Sequence, residues 1–328
     1  MKNTQHPFET LTPSFVMDAI ESLGYVCDGR IFALNSYENR VYQVGIEDAE
    51  PLIAKFYRPD RWSEAQIIEE HRFSIELLEH ELPVVAPLCR DGQSLFDWHG
   101  FHFALFPRQG GHAPELSNPD VLLVLGRALG RMHQVGAASD FQYRPTLNSA
   151  NFGHESVAYI REHCMPQELD AAYRSLTDDL LKRIDDVFLQ HGEGIPFIRV
   201  HGDCHAGNML WRNHAPHFVD LDDARMAPAV QDIWMLLSGD RAEQTLQLSE
   251  IIAGYNEFAD FNPRELQLIE SLRTLRMMHY SAWLARRRED PAFPRAFPWF
   301  YSARYWGDHI LELREQLSAL QEPAMPLL

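Results

Sequence analysis

The sequence predicts an α+β fold with two lobes, a strand-rich lobe at residues 1–107 and a mostly helical lobe at residues 108–328. Three observations support this prediction. The chain has 328 residues, which is more than one hydrophobic core usually serves. Apolar runs of strand length recur up to residue 106, whereas apolar residues at helical spacing prevail afterwards. A Pro-Arg-Gln-Gly-Gly run at residues 107–111 breaks regular structure between the two patterns and marks a hinge.

The first lobe is predicted to contain four clear strands and two helices. The first helix covers residues 12–24, and a second helix begins at the capping-box pattern of Ser63 and Gln66. A run at residues 82–87 ends the second helix and is predicted to begin a further strand. The four clear strands are at residues 31–34, 41–46, 52–57 and 101–106.

Lys55 lies within an apolar strand and therefore needs an acidic partner. Burying a cation alone costs on the order of several kcal/mol. On the helix that follows, Glu70 shares a face with Ile67, whereas Glu69 falls on a wetter side with Arg72. The periodicity favours Glu70 over Glu69 as the partner. The alternative is that Lys55 is a solvated residue on a sheet edge.

The second lobe is predicted to open with a helix at residue 118. Gly126 and Gly130 lie four residues apart in it. Each glycine costs about 1 kcal/mol relative to alanine in a helix, so the pair predicts that another backbone approaches closely. His133 is predicted to be a core residue, and residues 136–165 an irregular segment near the acceptor substrate. Further helices are predicted at residues 167–191, 230–237, 242–258, 263–288 and 301–320.

Composition narrows the function classes. The net charge of −18 disfavours sequence-independent binding to nucleic acid or to an anionic membrane. Four widely spaced cysteines show no disulfide pattern, and no signal peptide or membrane span is visible, so we expect a cytoplasmic protein. We also expect a monomer. The arginines at 286–288 are interpreted as a solvated helix end, with an acidic partner as the alternative.

The stretch from residue 197 to residue 223 is the most informative part of the sequence. A short strand leads into a polar loop that contains Asp203 and Asn208, and a hairpin then folds the chain back to Asp220. Two carboxylates and a carboxamide in one small space call for a cation. Mg²⁺ accepts such ligands, because it prefers oxygen and is usually held by few protein groups together with phosphate.

Two other interpretations of this stretch are weaker. His201, Cys204 and His205 are residue types that bind zinc, but their spacing fits no familiar zinc signature and no second Cys/His pair follows. A solvated acidic loop explains Asp222 and Asp223 alone. It leaves the ordered set of Lys, Asp and Asn unexplained.

The spacing of Asp203, Asn208 and Asp220 is that of a kinase catalytic loop followed by a metal-binding aspartate. The run HGDCHAGN from residue 201 resembles the catalytic loop of the aminoglycoside phosphotransferase and choline kinase family. The wider runs HGDCHAGNMLWR, FVDLDDAR, LNSYENRVYQ and IAKFYRP are similar to a bacterial Ser/Thr protein kinase branch of that family. The resemblance covers nearly the whole chain and implies a bilobal, protein kinase-like fold.

The resemblance also implies a set of roles for ATP and Mg²⁺. Asp203 and Asp220 are the expected catalytic residues, and Asp203 accepts the proton of the acceptor hydroxyl. The metal ligands are then Asn208 and Asp220, with Asp222 at a second ion. Lys55, held by Glu70, contacts the α- and β-phosphates.

Further nucleotide contacts follow only from the resemblance. No Gly-rich loop is present, so Ser36 in the first hairpin is expected to contact phosphate, with a plain polar turn as the alternative. Backbone groups around Phe106 and Arg108 are expected to meet the adenine edge, unless this segment is only a linker. His205 is expected near the γ-phosphate, and Asp232 is expected to brace the catalytic loop.

The acceptor stays open at this point. The resemblance favours a Ser/Thr hydroxyl of a protein, and a choline-, homoserine- or aminoglycoside-like alcohol is the alternative, because fold does not fix substrate. An inactive binding module is disfavoured, since Lys55, Asp203, Asn208 and Asp220 are all present.

Overall fold

The computed structural model describes residues 7–328 and has the expected α+β architecture. The first lobe is an antiparallel sheet of five strands in the order β1-β2-β3-β5-β4, and two helices accompany it. Helices α1 and α2 and strands β1 to β5 are Pro13–Glu21, Glu64–Glu79, Cys27–Ala33, Arg40–Ile46, Leu52–Phe56, Phe96–Trp98 and Phe101–Pro107.

The predicted strand at residues 82–87 is wrong. Val84 forms an isolated bridge to Phe218, and Leu88 donates one backbone hydrogen bond to Leu105. Pro83 and Pro87 lack the N–H groups that a ladder requires, so this segment forms no strand. The predicted capping box of α2 is confirmed, because Ser63 and Gln66 each bond the other's backbone.

The central strand β3 places Lys55 toward the second lobe. Its neighbours Ala54 and Phe56 are fully buried in a core that includes Val16 and Ile20 of α1. Since successive strand side chains point to opposite faces, Lys55 projects from the other face of the sheet. Lys55 is 7% exposed there. The strand pattern therefore fixes the direction in which this ammonium group points.

The second lobe is mostly helical and carries two small two-stranded sheets. Strand β6 pairs antiparallel with β9, and β7 forms a hairpin with β8. The helices α3 to α10 are Pro119–Gly136, Glu155–His163, Gln167–His191, Val230–Trp234, Arg241–Tyr255, Ile269–Arg286, Phe293–Ala296 and Ala303–Ala319. The strands β6 to β9 are Ile198–Val200, Met209–Arg212, Ala215–Phe218 and Arg225–Ala227.

The expectation of an irregular segment at 136–165 is wrong for its second half. A π-helical turn at Ala150–His154 leads directly into α4. Val157 and Ile160 of α4 are buried in one cluster with Met278 and Ala282 of α8. The apolar residues of α4 are too few to reveal the helix from sequence, and packing against α8 stabilises it. In residues 7–328, no helix is both long and apolar enough to cross a membrane.

The glycine pair of α3 lies against α7, as predicted. A Cβ atom on Gly126 would lie 2.0 Å from the carbonyl oxygen of Ile251, and one on Gly130 would lie 2.6 Å from that of Tyr255. His133 is buried on the same helix, as predicted, within 3.1 Å of the Tyr255 hydroxyl and of Asp232. The close approach of the two backbones is therefore the packing need that the glycines serve.

Gly126→Ala is expected to destabilise the protein by about 1–3 kcal/mol, because the added methyl group forces the two helices apart. Gly307 in α10 is the matched control, since a Cβ atom there meets no heavy atom within 4 Å. Gly307→Ala is expected to stabilise by about 0.5–1 kcal/mol. Urea unfolding midpoints of both variants check this prediction. An unchanged midpoint for Gly126→Ala contradicts it.

Candidate active site

A cleft of about 670 Å³ separates the two lobes and collects the predicted residues. Lys55, Asp203, Asn208 and Asp220 all line it, as the sequence predicts. Five of the other predicted site residues line it too, namely Ser36, Glu70, Phe106, His205 and Asp222. Arg108 does not. The placement of these side chains is thus observed, while their roles stay predictions.

The loop after β6 is fixed by a buried carboxylate. Asp232 accepts backbone N–H bonds from His201 at 2.8 Å and from Gly202 at 2.9 Å. Gly202 has a φ of 82°, and a Cβ atom there would lie 2.2 Å from the carbonyl oxygen of Asp223. Only glycine fits this left-handed, crowded position without strain. Asp232 therefore braces the loop, which agrees with the structural role that the resemblance implies.

Three side chains orient the Asp203 carboxylate. Asn208 donates from Nδ2 to the backbone oxygen of Asp203 at 3.0 Å and to its Oδ2 at 3.3 Å. His205 Nε2 lies 3.5 Å from Oδ2, and an Arg276 nitrogen lies 2.5 Å from Oδ1. Burial raises the pKa of Asp203, but the His205 hydrogen bond and the Arg276 charge outweigh it and lower the pKa overall. The carboxylate is held ionised and in one orientation.

His205 has a defined tautomer in this arrangement. Its Nδ1 accepts a hydrogen bond from the backbone N–H of Gly207 at 2.9 Å. In a neutral imidazole the proton must then be on Nε2, which faces Asp203. The ring supports the catalytic loop through both nitrogens.

Lys55 pairs with two aspartates that follow the β7–β8 hairpin. Its Nζ lies 2.7 Å from Oδ1 of Asp220 and 3.3 Å from Oδ1 of Asp222. Burial lowers the pKa of Lys55, but these two carboxylates outweigh it and raise the pKa well above the usual value. Asp220 has a left-handed backbone with φ 59°, and its side chain is half exposed. The ammonium group thus stays charged and connects the two lobes.

The predicted salt bridge between Lys55 and Glu70 is not formed. Glu70 is buried on the inward face of α2, as the periodicity predicts, but it accepts a hydrogen bond from Ser74 at 3.0 Å. Its Oε2 has no hydrogen-bond donor among residues 7–328. Glu69 faces away and accepts the backbone N–H groups of residues 142–144. Helical spacing identified the inward face of α2. It did not predict which carboxylate would lie nearest to Lys55 in the folded protein.

Asp222 is enclosed by Lys55 and by Arg61, which the sequence did not single out. Arg61 forms salt bridges with Asp222 and, at 3.0 Å, with Asp223. Asn39 donates to Asp222 at 3.1 Å. Burial raises the pKa of Asp222, but Arg61 and Lys55 outweigh it and lower the pKa to about 2. Arg61 lies just before α2, where no spacing rule marks a functional residue.

The first hairpin loop is held against the second lobe. The Tyr37 ring packs on Phe297, with centroids 4.8 Å apart, and on Trp283 at 5.7 Å. Glu38 accepts a hydrogen bond from Trp283 Nε1 at 2.7 Å, and Ser36 Oγ donates to the carbonyl oxygen of Asn39 at 3.3 Å. A loop without glycines is thus kept in place over the cleft by contacts across the lobes.

The interpretation of residues 286–288 as a solvated helix end is wrong for Arg287. Its guanidinium bonds Glu38 at 2.5 Å and lies over the Trp283 ring at 4.3 Å. Burial is the largest cause of a pKa lowered to about 10 for Arg287. Arg286 is exposed, as expected for a helix end. The acidic partner of Arg287 is Glu38 of the first lobe. The two residues are far apart in the sequence, so local patterns could not predict the pair.

The hinge contributes Phe106, Pro107 and Gln109 to the cleft wall. The side chain of Arg108 turns out of the cleft and donates from Nε to Gln43 at 3.0 Å. A side-chain contact from Arg108 to a molecule in the cleft is therefore inconsistent with this geometry. The expected backbone contacts at the hinge remain a prediction.

Arg276, Tyr280 and Trp283 of α8 line the cleft beyond Asp203, and sequence reasoning missed them. Their i, i+4 and i+7 spacing puts them on one helical face. The Tyr280 and Trp283 rings are stacked, with centroids 5.8 Å apart and 11° between planes. An arginine followed by aromatic residues at helical spacing was the sequence pattern that could have predicted this part of the cleft.

The oxygen donors of Asn208 and Asp220 fit Mg²⁺. Asn208 donates a hydrogen bond from Nδ2 to Asp203, which leaves its Oδ1 available as a metal ligand. The Asp220 carboxylate is half exposed and can also bind a metal. Within residues 7–328, no three His, Cys, Asp or Glu side chains form a metal cluster. The zinc alternative has no support, because Cys204 is fully buried and His201 Nε2 lies 3.0 Å from the carbonyl oxygen of Val219.

Comparison with known proteins defines the class. A sequence profile of the Phosphotransferase enzyme family matches residues 31–269, and the chain belongs to this family. Among solved structures, the amicoumacin kinase hAmiN superposes with a TM-score of 0.74 at 20% identity, covering 96% of this chain and 95% of that one. A microcompartment-associated aminopropanol kinase gives a TM-score of 0.67 at 17% identity, covering 93% and 95%. These likenesses establish the bilobal kinase-like fold.

Closer relatives narrow the class to kinases. Stress response kinase A of Escherichia coli (strain K12) is 46% identical over 328 residues, covering 100% of this chain and 99% of that protein. The serine/threonine protein kinase RdoA of Salmonella typhimurium (strain LT2) is 45% identical over the same span, with the same coverage. The resemblance seen in the sequence is thereby confirmed, and the protein is a kinase of the phosphotransferase family.

Proposed function

We propose that this kinase transfers the γ-phosphate of ATP to Ser or Thr hydroxyls of proteins, with Mg²⁺ as cofactor. The observation that carries the proposal is the cleft itself. Lys55 of the sheet and Asp220 of the second lobe meet at 2.7 Å, next to Asp203 and Asn208. The name of the RdoA relative, which is 45% identical over the full chain, supports the protein acceptor.

Asp203 is the proposed base. Its carboxylate is ionised, oriented by Asn208 and His205, and faces the cleft. When the acceptor hydroxyl attacks the γ-phosphorus, the bond from that phosphorus to the β–γ bridging oxygen breaks. The hydroxyl proton passes to Asp203, and ADP leaves with the bridging oxygen.

Asn208 and Asp220 are the proposed ligands of Mg²⁺, with Asp222 beside them. The bound ion would neutralise charge on the phosphate oxygens. Asp220 is the more open carboxylate, because its side chain is half exposed, whereas Asp222 is buried and contacts Arg61 and Asn39 as well as Lys55. Lys55 is the proposed contact of the α- and β-phosphates. With Asp220 on the metal, Lys55 would have a second acidic partner in Glu70, whose buried Oε2 lacks a hydrogen-bond donor among residues 7–328.

Ser36, Phe106 and His205 complete the proposed nucleotide site. Phe106 lies at the hinge end of the cleft, Ser36 lies in the loop over it, and His205 lies beside Asp203. The distribution fits a nucleotide that extends from the hinge to the catalytic loop. Positioning and charge neutralisation then supply most of the rate enhancement.

A small alcohol is the second candidate acceptor, because solved structures of the same fold include the amicoumacin and aminopropanol kinases. Incubation with labelled ATP and Mg²⁺ separates the candidates, with a general protein substrate such as casein in one arm and a panel of choline, homoserine, aminopropanol and an aminoglycoside in the other. We expect label on protein Ser or Thr. Label on an alcohol alone would overturn the protein acceptor and leave the kinase assignment in place.

A further inference from the structure

Beyond Asp203 the cleft wall is formed by Arg276, Tyr280 and Trp283 of α8. The chemistry of this wall indicates which acceptor segments can bind there. Arg276 projects from α8 into this wall, and its side chain is 37% exposed. In the described part of the chain, Asp203 is the one carboxylate within salt-bridge distance of its guanidinium, with one nitrogen 2.5 Å from Oδ1. A guanidinium carries five N–H donors in a planar fork. Arg276 therefore keeps N–H donors that Asp203 does not use, on a side chain that lines the cleft.

The other cations near this wall are already committed. Arg61 bridges Asp222, Asp223 and Glu38, and Arg225 bonds Asp223 at 2.8 Å. Arg276 is therefore distinguished from both by its unused donors. An anionic group on the acceptor would find its hydrogen-bonding partner there.

The carboxylates of Glu38 and Asp223, which also line the cleft, are committed in the same way. Glu38 contacts Arg58, Arg61 and Arg287, and Asp223 contacts Arg61 and Arg225. A cationic group on the acceptor would compete with these arginines for an oxygen. The charge arrangement thus favours an acidic neighbour of the acceptor hydroxyl over a basic one.

An aromatic surface continues from Arg276 along α8. Tyr280 follows one helical turn later, is 47% exposed and stacks on Trp283. Such a surface supports an extended peptide backbone or an apolar side chain next to the charged contact. A segment of protein chain with an acidic residue beside its Ser or Thr satisfies both features.

We propose that Arg276 selects acceptor segments that carry an Asp or Glu directly next to the Ser or Thr hydroxyl. The carboxylate binds the free donors of Arg276, while Asp203 keeps its contact with the same guanidinium. The acceptor hydroxyl is thereby anchored beside the catalytic carboxylate. This inference rests on the proposed protein kinase activity and adds the acceptor sequence to it.

Three peptides that differ only at the two positions flanking one serine test the inference. The flanking residues are Asp, Ala or Lys, and the kcat/KM of phosphate transfer from Mg·ATP is measured for each. We expect the parent to prefer the Asp peptide over the Ala peptide by about tenfold or more, as charge-assisted hydrogen bonds allow. The Lys peptide should be the poorest acceptor.

Variants assign the preference to one side chain. Arg276→Gln is expected to reduce the Asp-over-Ala ratio to near unity, chiefly through the KM of the Asp peptide, and Arg276→Glu to favour the Lys peptide. Arg286→Gln is the matched control, because Arg286 is an exposed arginine of the same helix that lies over Tyr159 and does not line the cleft. It should keep the parent ratios. Ratios within each variant are independent of any general loss of turnover.

The outcomes separate the inference from the function on which it rests. Equal use of the three peptides by the parent, or an equal loss on all three in Arg276→Gln, overturns the role in selection and leaves the protein kinase assignment intact. In the second case Arg276 acts only through Asp203. Failure of the parent to modify any peptide or protein, with transfer to a small alcohol instead, overturns the protein acceptor and the inference with it.

Discussion

Asp203→Ala is expected to lower the rate of phosphate transfer by about 10²–10⁴-fold or more, because it removes the group that accepts the hydroxyl proton. The affinity for Mg·ATP should stay within a few-fold of the parent, since the variant retains Asn208 and Asp220 as metal ligands. Transfer of labelled phosphate and calorimetric titration with Mg·ATP measure the two effects. A large loss of transfer rate with an almost unchanged affinity for Mg·ATP identifies Asp203 as a base rather than a metal ligand.

Asp308→Ala is a suitable control for Asp203→Ala. Asp308 is an exposed aspartate of α10 and contacts Arg304 on the surface. Its loss should change neither turnover nor nucleotide affinity. Turnover of Asp203→Ala close to that of the parent would end the assignment of Asp203 as the base.

Asp220→Ala is expected to abolish the part of nucleotide binding that depends on Mg²⁺, with an affinity at least about 100-fold lower. Loss of a metal ligand exceeds the 10–100-fold effect typical of an outer-shell partner. Lys55 retains Asp222 at 3.3 Å, so the sheet and the hairpin stay connected. Calorimetric titrations with ATP, in Mg²⁺ and in EDTA, give the comparison for mutant and parent.

The contrast between the two aspartate variants is the sharper measurement. Asp203→Ala should bind Mg·ATP and fail to transfer phosphate, whereas Asp220→Ala should fail at both. Equal affinities of Asp220→Ala and the parent for Mg·ATP would refute the metal role of Asp220. The EDTA titrations should coincide for all three proteins, which excludes a general loss of folding as the cause.

Local pattern was enough for much of the architecture. The capping box at Ser63 identified the start of α2, and Gly126 and Gly130 predicted the close approach of another backbone, which the structure shows to be that of α7. These features depend on residues a few positions apart, whose geometry secondary structure fixes. Val84 and α4 show the limit, because a proline-flanked run and a weakly apolar helix adopt structures that packing decides.

The candidate site divides in the same way. The sequence by itself determined which chemical groups are present and that Asp203, Asn208 and Asp220 come together, since a loop and one short hairpin connect them. Only the tertiary structure decided their partners. Lys55 meets Asp220 rather than Glu70, Arg61 and Arg287 cross between the lobes, and Arg276 reaches Asp203 from α8. A long charged side chain pairs with the opposite charge that folding brings nearest to it. The distance between two such charges in the folded protein cannot be derived from their spacing in the sequence.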